Sequence, residues 1–257
     1  HLGVVKHLPG GLALTGNAFR AFRGPTMNEL YRTGQVGQQT TRANPSLLSE
    51  RATGFEFGGE FAEMNIRGHE LGRVRASYFW TEVNRPVSTV VLSQTATSQT
   101  LQRQNLGQIR SRGLSLEGTS REWRGLEVSA GWQLAVATVT AFNTSSALQA
   151  NLLGKWIPQV PRQLVTATVS YRRPEWVNLH LITSYTGRAY DDTANQFLLH
   201  PYARFDLSAD RRLWRGLSVY AGAQNLLNRT IDAGRTPLLT LAAPRLVQGG
   251  LRWQMGR

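Results

Sequence analysis

The residues of this 257-residue chain that are best suited to ligand binding are aromatic, acidic and amide side chains in polar stretches, with one arginine as an anion contact: Arg103, Trp156, Tyr190, Asp191, Asp192 and Asn195. Adjacent carboxylates in a loop can bind a cation or a cationic substrate, because hard cations prefer oxygen ligands. Aromatic and charged groups on loops also suit a large polar ligand. These six residues are the predicted binding site, and the alternative for the two aspartates is a solvated loop.

The sequence carries no signature of catalysis or of a metal site. It has no P-loop, no dinucleotide-binding glycine pattern, no HExxH zinc motif and no nucleophile elbow. It has no cysteine, and its five histidines are isolated, so that His180 is more simply a solvated histidine than a metal ligand. Glu56 and Glu60 are spaced as an acid and base could be, but solvation in the lumen of a barrel or pairing with a neighbouring arginine such as Arg75 is the simpler interpretation. We therefore predict no enzyme, no cofactor and no metal.

Long alternating strands must position these residues. In residues 126–138 (LEVSAGWQLAVAT) every second side chain is apolar and those between are mostly polar. Successive side chains of a strand point to opposite faces, so this segment has one apolar and one polar face. Globular strands are usually ~5–6 residues long, whereas a tilted strand that crosses a bilayer needs ~9–11. The segment therefore has the length and pattern of a transmembrane β-strand.

The same unit recurs along the chain, and the connections between units alternate between short and long. About ten strands are predicted, as expected for barrels with short periplasmic turns and long extracellular loops. The short connections lie around Leu8, Asn65, Trp123, Pro174 and Trp214, and the long ones are residues 23–50, 84–104, 141–161, 187–200 and 226–243. Aromatic residues near the strand ends fit interfacial girdles, with ordinary strand aromatics as the alternative: Trp80, Trp123, Trp176, Tyr185, Trp214 and Trp253.

Composition agrees with this fold class and argues against nucleic acid. Hydrophobic residues make up 41% of the chain, and no apolar run is long enough for a helix to span a membrane. The net charge is +13, but only Lys6 and Lys155 among the 29 basic residues are lysines, and the arginines are scattered singly or in pairs. No nucleic-acid-binding motif accompanies them. We predict an all-β protein, an antiparallel transmembrane β-barrel, that binds no nucleic acid.

Five sequence motifs, in the same order along the chain, resemble motifs of TonB-dependent outer-membrane receptors. Residues 21–31 (AFRGPTMNELY) closely resemble the family's AFRxPTxNELY stretch, and residues 44–50 (NPSLLSE) its NPxLxxE segment. Residues 105–117 are similar to its NxG and RGLELE strand, and residues 224–228 (QNLLN) to its ENLxN word. Residues 244–253 resemble its final strand. The motifs span nearly the whole chain, so we expect residues 1–257 to form one domain.

The resemblance implies a barrel of about 22 strands that is plugged by an N-terminal domain. Such receptors import scarce, large ligands, for example an iron chelate such as a ferric siderophore, or cobalamin, and TonB supplies the energy through the plug. We expect this chain to be the C-terminal portion of a monomeric barrel in the outer membrane of a Gram-negative bacterium, embedded in outer-membrane lipid, with the plug missing from it. The alternative is a passive or structural pore without TonB coupling.

The C-terminus departs from the family's pattern. Family members usually end on an aromatic residue that assists insertion of the barrel, whereas this chain has Met255 at the expected parity and ends in Gly256 and Arg257. The chain also begins at His1 without a signal peptide, so any targeting sequence is expected upstream. An open sheet with two free edges in lipid would leave backbone groups without hydrogen bonds.

Overall fold

A computed structural model of the chain describes residues 1–66, 69–95, 97–144, 146–148, 150–214, 216–236 and 238–254, with side chains described outside residues 63–71. The expectations for Met255, Gly256, Arg257 and for Arg215 in a short turn lie outside the described residues. In chain order the elements are β1 (Leu2–His7), β2 (Leu12–Arg23), α1 (Met27–Tyr31), β3 (Gly34–Val36), β4 (Gln39–Arg42), β5 (Glu50–Ile66), β6 (His69–Asn84), β7 (Val87–Gln94), β8 (Gln99–Asn105), β9 (Gln108–Ser120), β10 (Leu126–Ala141), β11 (Gln163–Arg173), β12 (Val177–Thr186), β13 (Ala189–Tyr190), β14 (Leu198–Leu199), β15 (Tyr202–Trp214), β16 (Leu217–Gln224), β17 (Asp232–Gly234), β18 (Thr240–Leu241) and β19 (Leu246–Trp253).

Eleven strands form one antiparallel sheet in the order β1, β2, β5, β6, β9, β10, β11, β12, β15, β16, β19. Each strand pairs with the main-sheet strand that follows it along the chain, so the sheet is a simple meander. The sequence predicted about ten strands, and the additional one is β1, whose six residues pair fully with β2. The predicted segment 126–138 is the core of β10, a strand of 16 residues. Among the described residues, no helix is long and apolar enough to cross a membrane.

The register places the alternating side chains on two distinct faces of the sheet. One row of directly paired residues is almost entirely apolar: Val128, Val169, Leu181, Leu207, Ala223 and Val247. The neighbouring row on the opposite face is polar or small: Glu127, Ser170, His180, Ser208, Gly222 and Gln248. A slip of one residue between any two strands would exchange these rows, so the hydrophobic pattern fixes the register.

Five long connections, called here the outer loops, lie at one end of the sheet. Loop 1 comprises residues 24–49, loop 2 residues 85–107, loop 3 residues 142–162, loop 4 residues 187–201 and loop 5 residues 225–245. They contain the helix and all eight short strands, which form one four-stranded and two two-stranded sheets. Sequence periodicity missed these elements because they are short and polar. The predicted polar segment 84–104, for example, contains the hairpin of β7 and β8.

The apolar core lies in the outer loops and not beneath the sheet. The buried hydrophobic residues among those described all belong to the five loops: Leu47, Val90, Leu101, Leu106, Leu152, Ala189 and Ile231. The apolar face of the sheet is exposed, as Phe57 (60%) and Val247 (69%) show. In water such a surface would drive association. The loops are therefore packed as in a water-soluble protein, whereas the sheet presents an apolar band to its surroundings.

Candidate functional site

The first part of the candidate site is a charged cluster that joins loops 1 and 2 to the sheet. Thr26 caps helix α1, because its hydroxyl accepts a hydrogen bond from the Glu29 backbone N–H while the Glu29 carboxylate accepts one from the Thr26 N–H. Arg23 on β2 contacts both Glu29 (3.3 Å) and Glu50 (2.6 Å). The backbone hydrogen bond from Thr26 and the nearby Arg23 hold the pKa of Glu29 below its usual range. These contacts fix the start of loop 1.

Arg103, the predicted anion contact, lies in this cluster. Its guanidinium is 3.7 Å from the Glu29 carboxylate, and its side chain is 40% exposed. The backbone carbonyl of Arg103 accepts a hydrogen bond from the Asn44 side-chain amide at 2.8 Å, which holds loop 2 against loop 1. Part of the Arg103 charge is thus neutralised within the protein, while the exposed part remains accessible. The structure places Arg103 in a different group from the other five predicted site residues.

Those five residues are brought together where loops 3 and 4 meet. The rings of Trp156 and Tyr190 are in edge-to-face contact, with centroids 5.5 Å apart. The guanidinium of Arg162 lies over the Trp156 ring at 3.7 Å, a cation–π contact. The Asn195 side chain bridges the loops, since it accepts from the Trp156 N–H (2.7 Å) and donates to the Trp156 carbonyl (2.9 Å). These five residues, together with Arg162, are called the rim cluster below.

Asp191 fastens loops 3, 4 and 5 to one another. Its Oδ2 accepts hydrogen bonds from the backbone N–H groups of Arg235 and Thr236 (both 2.7 Å) and from the Thr236 hydroxyl (2.6 Å). Its Oδ1 accepts one from the side-chain amide of Gln159 at 2.8 Å. The Thr236 hydroxyl, followed by Gln159 and the Arg235 backbone, lowers the pKa of Asp191 from 3.8 to about 2. The carboxylate is therefore ionised and largely saturated by donors from the protein.

Asp192 has a more local role. Its Oδ1 accepts hydrogen bonds from the backbone N–H groups of Gln196 (2.8 Å) and Phe197 (2.7 Å), which closes a turn within loop 4. The two adjacent carboxylates thus bond to different loops and do not converge on one point. No group of three or more metal-binding side chains occurs among the described residues. The carboxylate oxygens that were predicted to bind a cation instead accept hydrogen bonds that hold the loops together.

Loops 4 and 5 are joined again beside the last hairpin. The His200 imidazole and the Asp232 carboxylate are 2.9 Å apart. Asn225 is 3% exposed, and its side chain accepts from the Arg229 N–H and donates to the carbonyls of Arg229 and Ala243. The motif QNLLN is therefore a folded turn in which the side-chain amide of Asn225 is buried and hydrogen-bonded through both its oxygen and its nitrogen.

Contacts between successive loops make the outer end of the sheet one continuous rim. Strand β4 of loop 1 pairs in parallel with β8 of loop 2, and the Ser146 hydroxyl of loop 3 donates to the Val91 carbonyl of loop 2. Asn195 and Asp191 continue the connection through loops 4 and 5. Arg162, Gln159 and Thr236 belong to this arrangement, but sequence analysis did not identify them. They lie in different loops, and no local pattern signals that they meet.

The polar face of the sheet carries ion pairs. Arg75 lies 3.3 Å from Glu56, and Arg73 lies 3.2 Å from Glu60. The expectation that these carboxylates pair with arginines is confirmed. His180 contacts the Ser170 hydroxyl at 3.1 Å on the same face. These side chains form a polar wall that contains two ion pairs.

Comparison with known proteins agrees with this architecture. The family described as TonB dependent receptor-like, beta-barrel, matches residues 1–226. No curated protein matches the chain in sequence. The solved structure of the siderophore receptor PiuA from Acinetobacter baumannii is 18% identical with a TM-score of 0.74, covering 98% of this chain and 35% of PiuA. The FrpB iron transporter from Neisseria meningitidis is 17% identical with a TM-score of 0.66, covering 98% of this chain and 38% of FrpB.

A third structure, the ferric yersiniabactin uptake receptor FyuA from Yersinia pestis, is 16% identical with a TM-score of 0.70, covering 98% of this chain and 36% of FyuA. The chain thus spans little more than a third of each of these proteins. The eleven-stranded sheet corresponds to part of a larger closed barrel, whose apolar face contacts lipid. The chain therefore belongs to the TonB-dependent receptor β-barrel family, a family of transporters and not of enzymes in the outer membrane of Gram-negative bacteria.

Proposed function

We propose that the protein imports a scarce, large ligand across the outer membrane in a TonB-dependent manner, and that this chain forms part of the barrel wall and of the ligand-facing rim. The observation that carries the proposal is the rim cluster, in which the half-buried Trp156 and Tyr190 rings and the exposed Arg162 guanidinium from two loops are in contact. Family membership supports the transport class.

The rim cluster favours a ligand that carries both aromatic or extended π surface and negative charge. Trp156 and Tyr190 offer ring edges and faces, and Arg162 adds a cation without an ion pair among the described residues. Arginine over an aromatic ring is a preorganised platform, since the guanidinium can stack and still donate hydrogen bonds. A ferric siderophore of the catecholate type has this chemistry, and so does cobalamin, with its corrin ring and phosphate. A small cationic metabolite does not.

Asp191, Asp192 and Asn195 contribute to this site by holding the loops, and Arg103 by contacting an anionic group of the ligand from loop 2. The first three have most of their acceptor atoms bonded to backbone N–H groups or to neighbouring loops. A platform that is fixed before the ligand arrives loses less entropy on binding. The six predicted residues thus divide into two aromatic platform residues, three residues that fasten the loops, and one anion contact, Arg103.

The proposed energy source is TonB, acting through an N-terminal plug that contacts the polar face. The solved relatives are described as a siderophore receptor, an iron transporter and a ferric yersiniabactin uptake receptor. The polar wall that contains the Glu56–Arg75 pair suits contact with a polar plug, because polar groups on the two surfaces can form hydrogen bonds with each other or with water.

Uptake measurements test the proposal. The full-length protein is expressed in cells that lack other receptors, and uptake of radiolabelled ferric catecholate, ferric hydroxamate and cobalamin is followed with and without TonB. Import of one ligand class that is lost without TonB supports the proposal, whereas uptake that is independent of TonB identifies a passive pore. The variant Trp156→Ala should weaken binding, and Trp253→Ala, the same change at an exposed site (57%) at the opposite end of the sheet, is the matched control.

A further inference from the structure

A groove on the outside of the sheet contains two exposed arginines, Arg20 and Arg51. It encloses about 400 Å³ between β2 and β5, and Arg20, Phe22, Ser49, Arg51 and Thr53 contribute to its walls. Arg20 and Arg51 make no ion pair, hydrogen bond or aromatic contact through their side chains with any residue that the structure describes. Both are exposed, as is Phe22 at 80%.

The register shows that this groove opens on the apolar face. Arg20 is paired with Thr53, and the pair one step further from the outer loops on the same face is Ala18 with Phe55. The Phe55 ring stacks on the Trp80 ring at 5.4 Å. The arginines therefore stand directly beyond the aromatic end of the apolar band. In an outer-membrane barrel this level is the boundary between the acyl chains and the headgroups of the outer leaflet.

Three other arginines of neighbouring strands are paired with carboxylates. On the opposite face Arg23 is paired with Glu50, and Arg75 with Glu56. On the outward face Arg110 is paired with Glu82 at 2.8 Å. Arg20 and Arg51 are diagonal neighbours across the β2–β5 pair, a placement that puts residues about 7–8 Å apart. Two like charges at this distance repel each other, and an anion placed between them removes the repulsion.

We propose that Arg20 and Arg51 bind a phosphate group of an outer-leaflet glycolipid. The planar guanidinium forks match phosphate oxygens in a bidentate manner. Phe22 and the adjoining aromatic residues contact the apolar portion of the same lipid. The groove faces away from the polar wall and the rim cluster, so its ligand is a component of the membrane and not the transported cargo.

Lipid binding to the full-length protein tests the proposal. The protein is purified in an uncharged detergent, freed of lipid, and titrated with diphosphoryl lipid A and with the same lipid lacking phosphates, with bound lipid counted by native mass spectrometry. The test variant is Arg20→Gln with Arg51→Gln. The matched control is Arg211→Gln with Arg212→Gln, which removes two exposed arginines near the short-turn end of β15 that also lack partners among the described residues.

We expect the phosphorylated lipid to bind at least about tenfold more tightly than the dephosphorylated one, and the test variant to abolish this difference. The control variant should stay within about twofold of the wild type. Equal loss in the control, or unchanged binding in the test variant, overturns the proposal. Displacement of the lipid by inorganic phosphate at equal concentration also overturns it, because the groove would then be a site for free phosphate.

Assembly of each variant is checked by its electrophoretic mobility before and after heating. If the glutamine variant does not assemble, Arg20→Lys with Arg51→Lys decides the question. Lysine keeps the charge and loses the bidentate fork. Reduced affinity of the lysine variant for the phosphorylated lipid supports the proposal, and full affinity overturns it.

Discussion

Replacement of Asp191 should release loop 5 from loops 3 and 4. The carboxylate accepts four hydrogen bonds, three of them from Arg235 and Thr236 in loop 5 and one from Gln159 in loop 3. Its pKa is lowered from 3.8 to about 2, which would correspond to roughly 2–3 kcal/mol if fully expressed. Screening by water at this partly exposed carboxylate reduces the figure to ~1–2 kcal/mol. Asp191→Ala should therefore favour the opened loop by a factor of about 5–30.

Hydrogen exchange of the assembled, full-length protein measures this effect. The N–H groups of Arg235 and Thr236 donate to Asp191, so their exchange should accelerate in Asp191→Ala by the factor given above. Asp192→Ala is the matched control, since among the described residues the Asp192 carboxylate accepts only from the N–H groups of residues 196 and 197 in its own loop. The control should accelerate exchange at those two positions and leave residues 235 and 236 unchanged.

The same junction should depend on pH in one direction only. Because the folded-state pKa of Asp191 lies below its value in an unfolded chain, its contribution is present above about pH 4 and is lost as the pH falls toward 2. In the wild type, the protection of the Arg235 and Thr236 N–H groups against hydrogen exchange should decrease as the pH falls from about 4 toward 2. Asp191→Ala should remove this pH dependence. Unchanged protection at residues 235 and 236 in Asp191→Ala would refute the assignment of Asp191 as a fastener. Weaker ligand binding with unchanged exchange would identify it as a direct ligand contact.

Three further substitutions address the turn, loop 2 and the sheet. Asn225→Ala should destabilise the turn that precedes β17 by about 2–3 kcal/mol, because it leaves buried backbone groups without partners, and limited proteolysis within loop 5 measures the change. Glu50→Ala removes an acceptor for the Val87 N–H and should weaken loop 2 by ~1 kcal/mol, seen as faster proteolytic cleavage of loop 2. Gly113→Ala should reduce the amount of heat-modifiable barrel in the outer membrane, since its Cβ would collide with the backbone of the neighbouring strand, whereas Gly16→Ala has open space and should assemble normally.

Strand positions could be predicted from the sequence because a single periodicity determines them. In β10 the alternation of apolar and polar residues is visible without any partner strand, and the long and short connections then order the remaining strands. The bounds were less accurate: residues 126–138 were predicted, whereas β10 runs from Leu126 to Ala141. At the outer end the outward face becomes polar, as with Arg51 and Thr53, so hydropathy no longer distinguishes the strand from a loop.

The rim could be predicted only in part. The aromatic and acidic residues of loops 3 and 4 were identified by type, and five of the six lie together. Their hydrogen-bonding partners were not identified. Contacts such as that of Asp191 with Thr236 join residues in different loops, and no periodic pattern in the sequence relates two such residues. The five motifs that resemble the family have a different role from these loop residues. Several of them, such as residues 21–31, 44–50 and 224–228, prove to be networks of caps and buried amides that shape the loops, so they identify the scaffold and carry no information on the cargo.

The position of the buried apolar residues has a consequence for assembly. Val90, Leu101 and Ile231 are buried in the loops, whereas the apolar side chains of the sheet become covered only by lipid. Folding therefore draws on two different solvents, since water drives the rim together and the bilayer stabilises the strands. A substitution in the rim core, such as Val90→Ala, should leave insertion of the sheet intact and loosen loops 1 to 3. A substitution such as Leu207→Arg on the lipid face should instead block insertion, at a cost of about 2–4 kcal/mol at the centre of the bilayer.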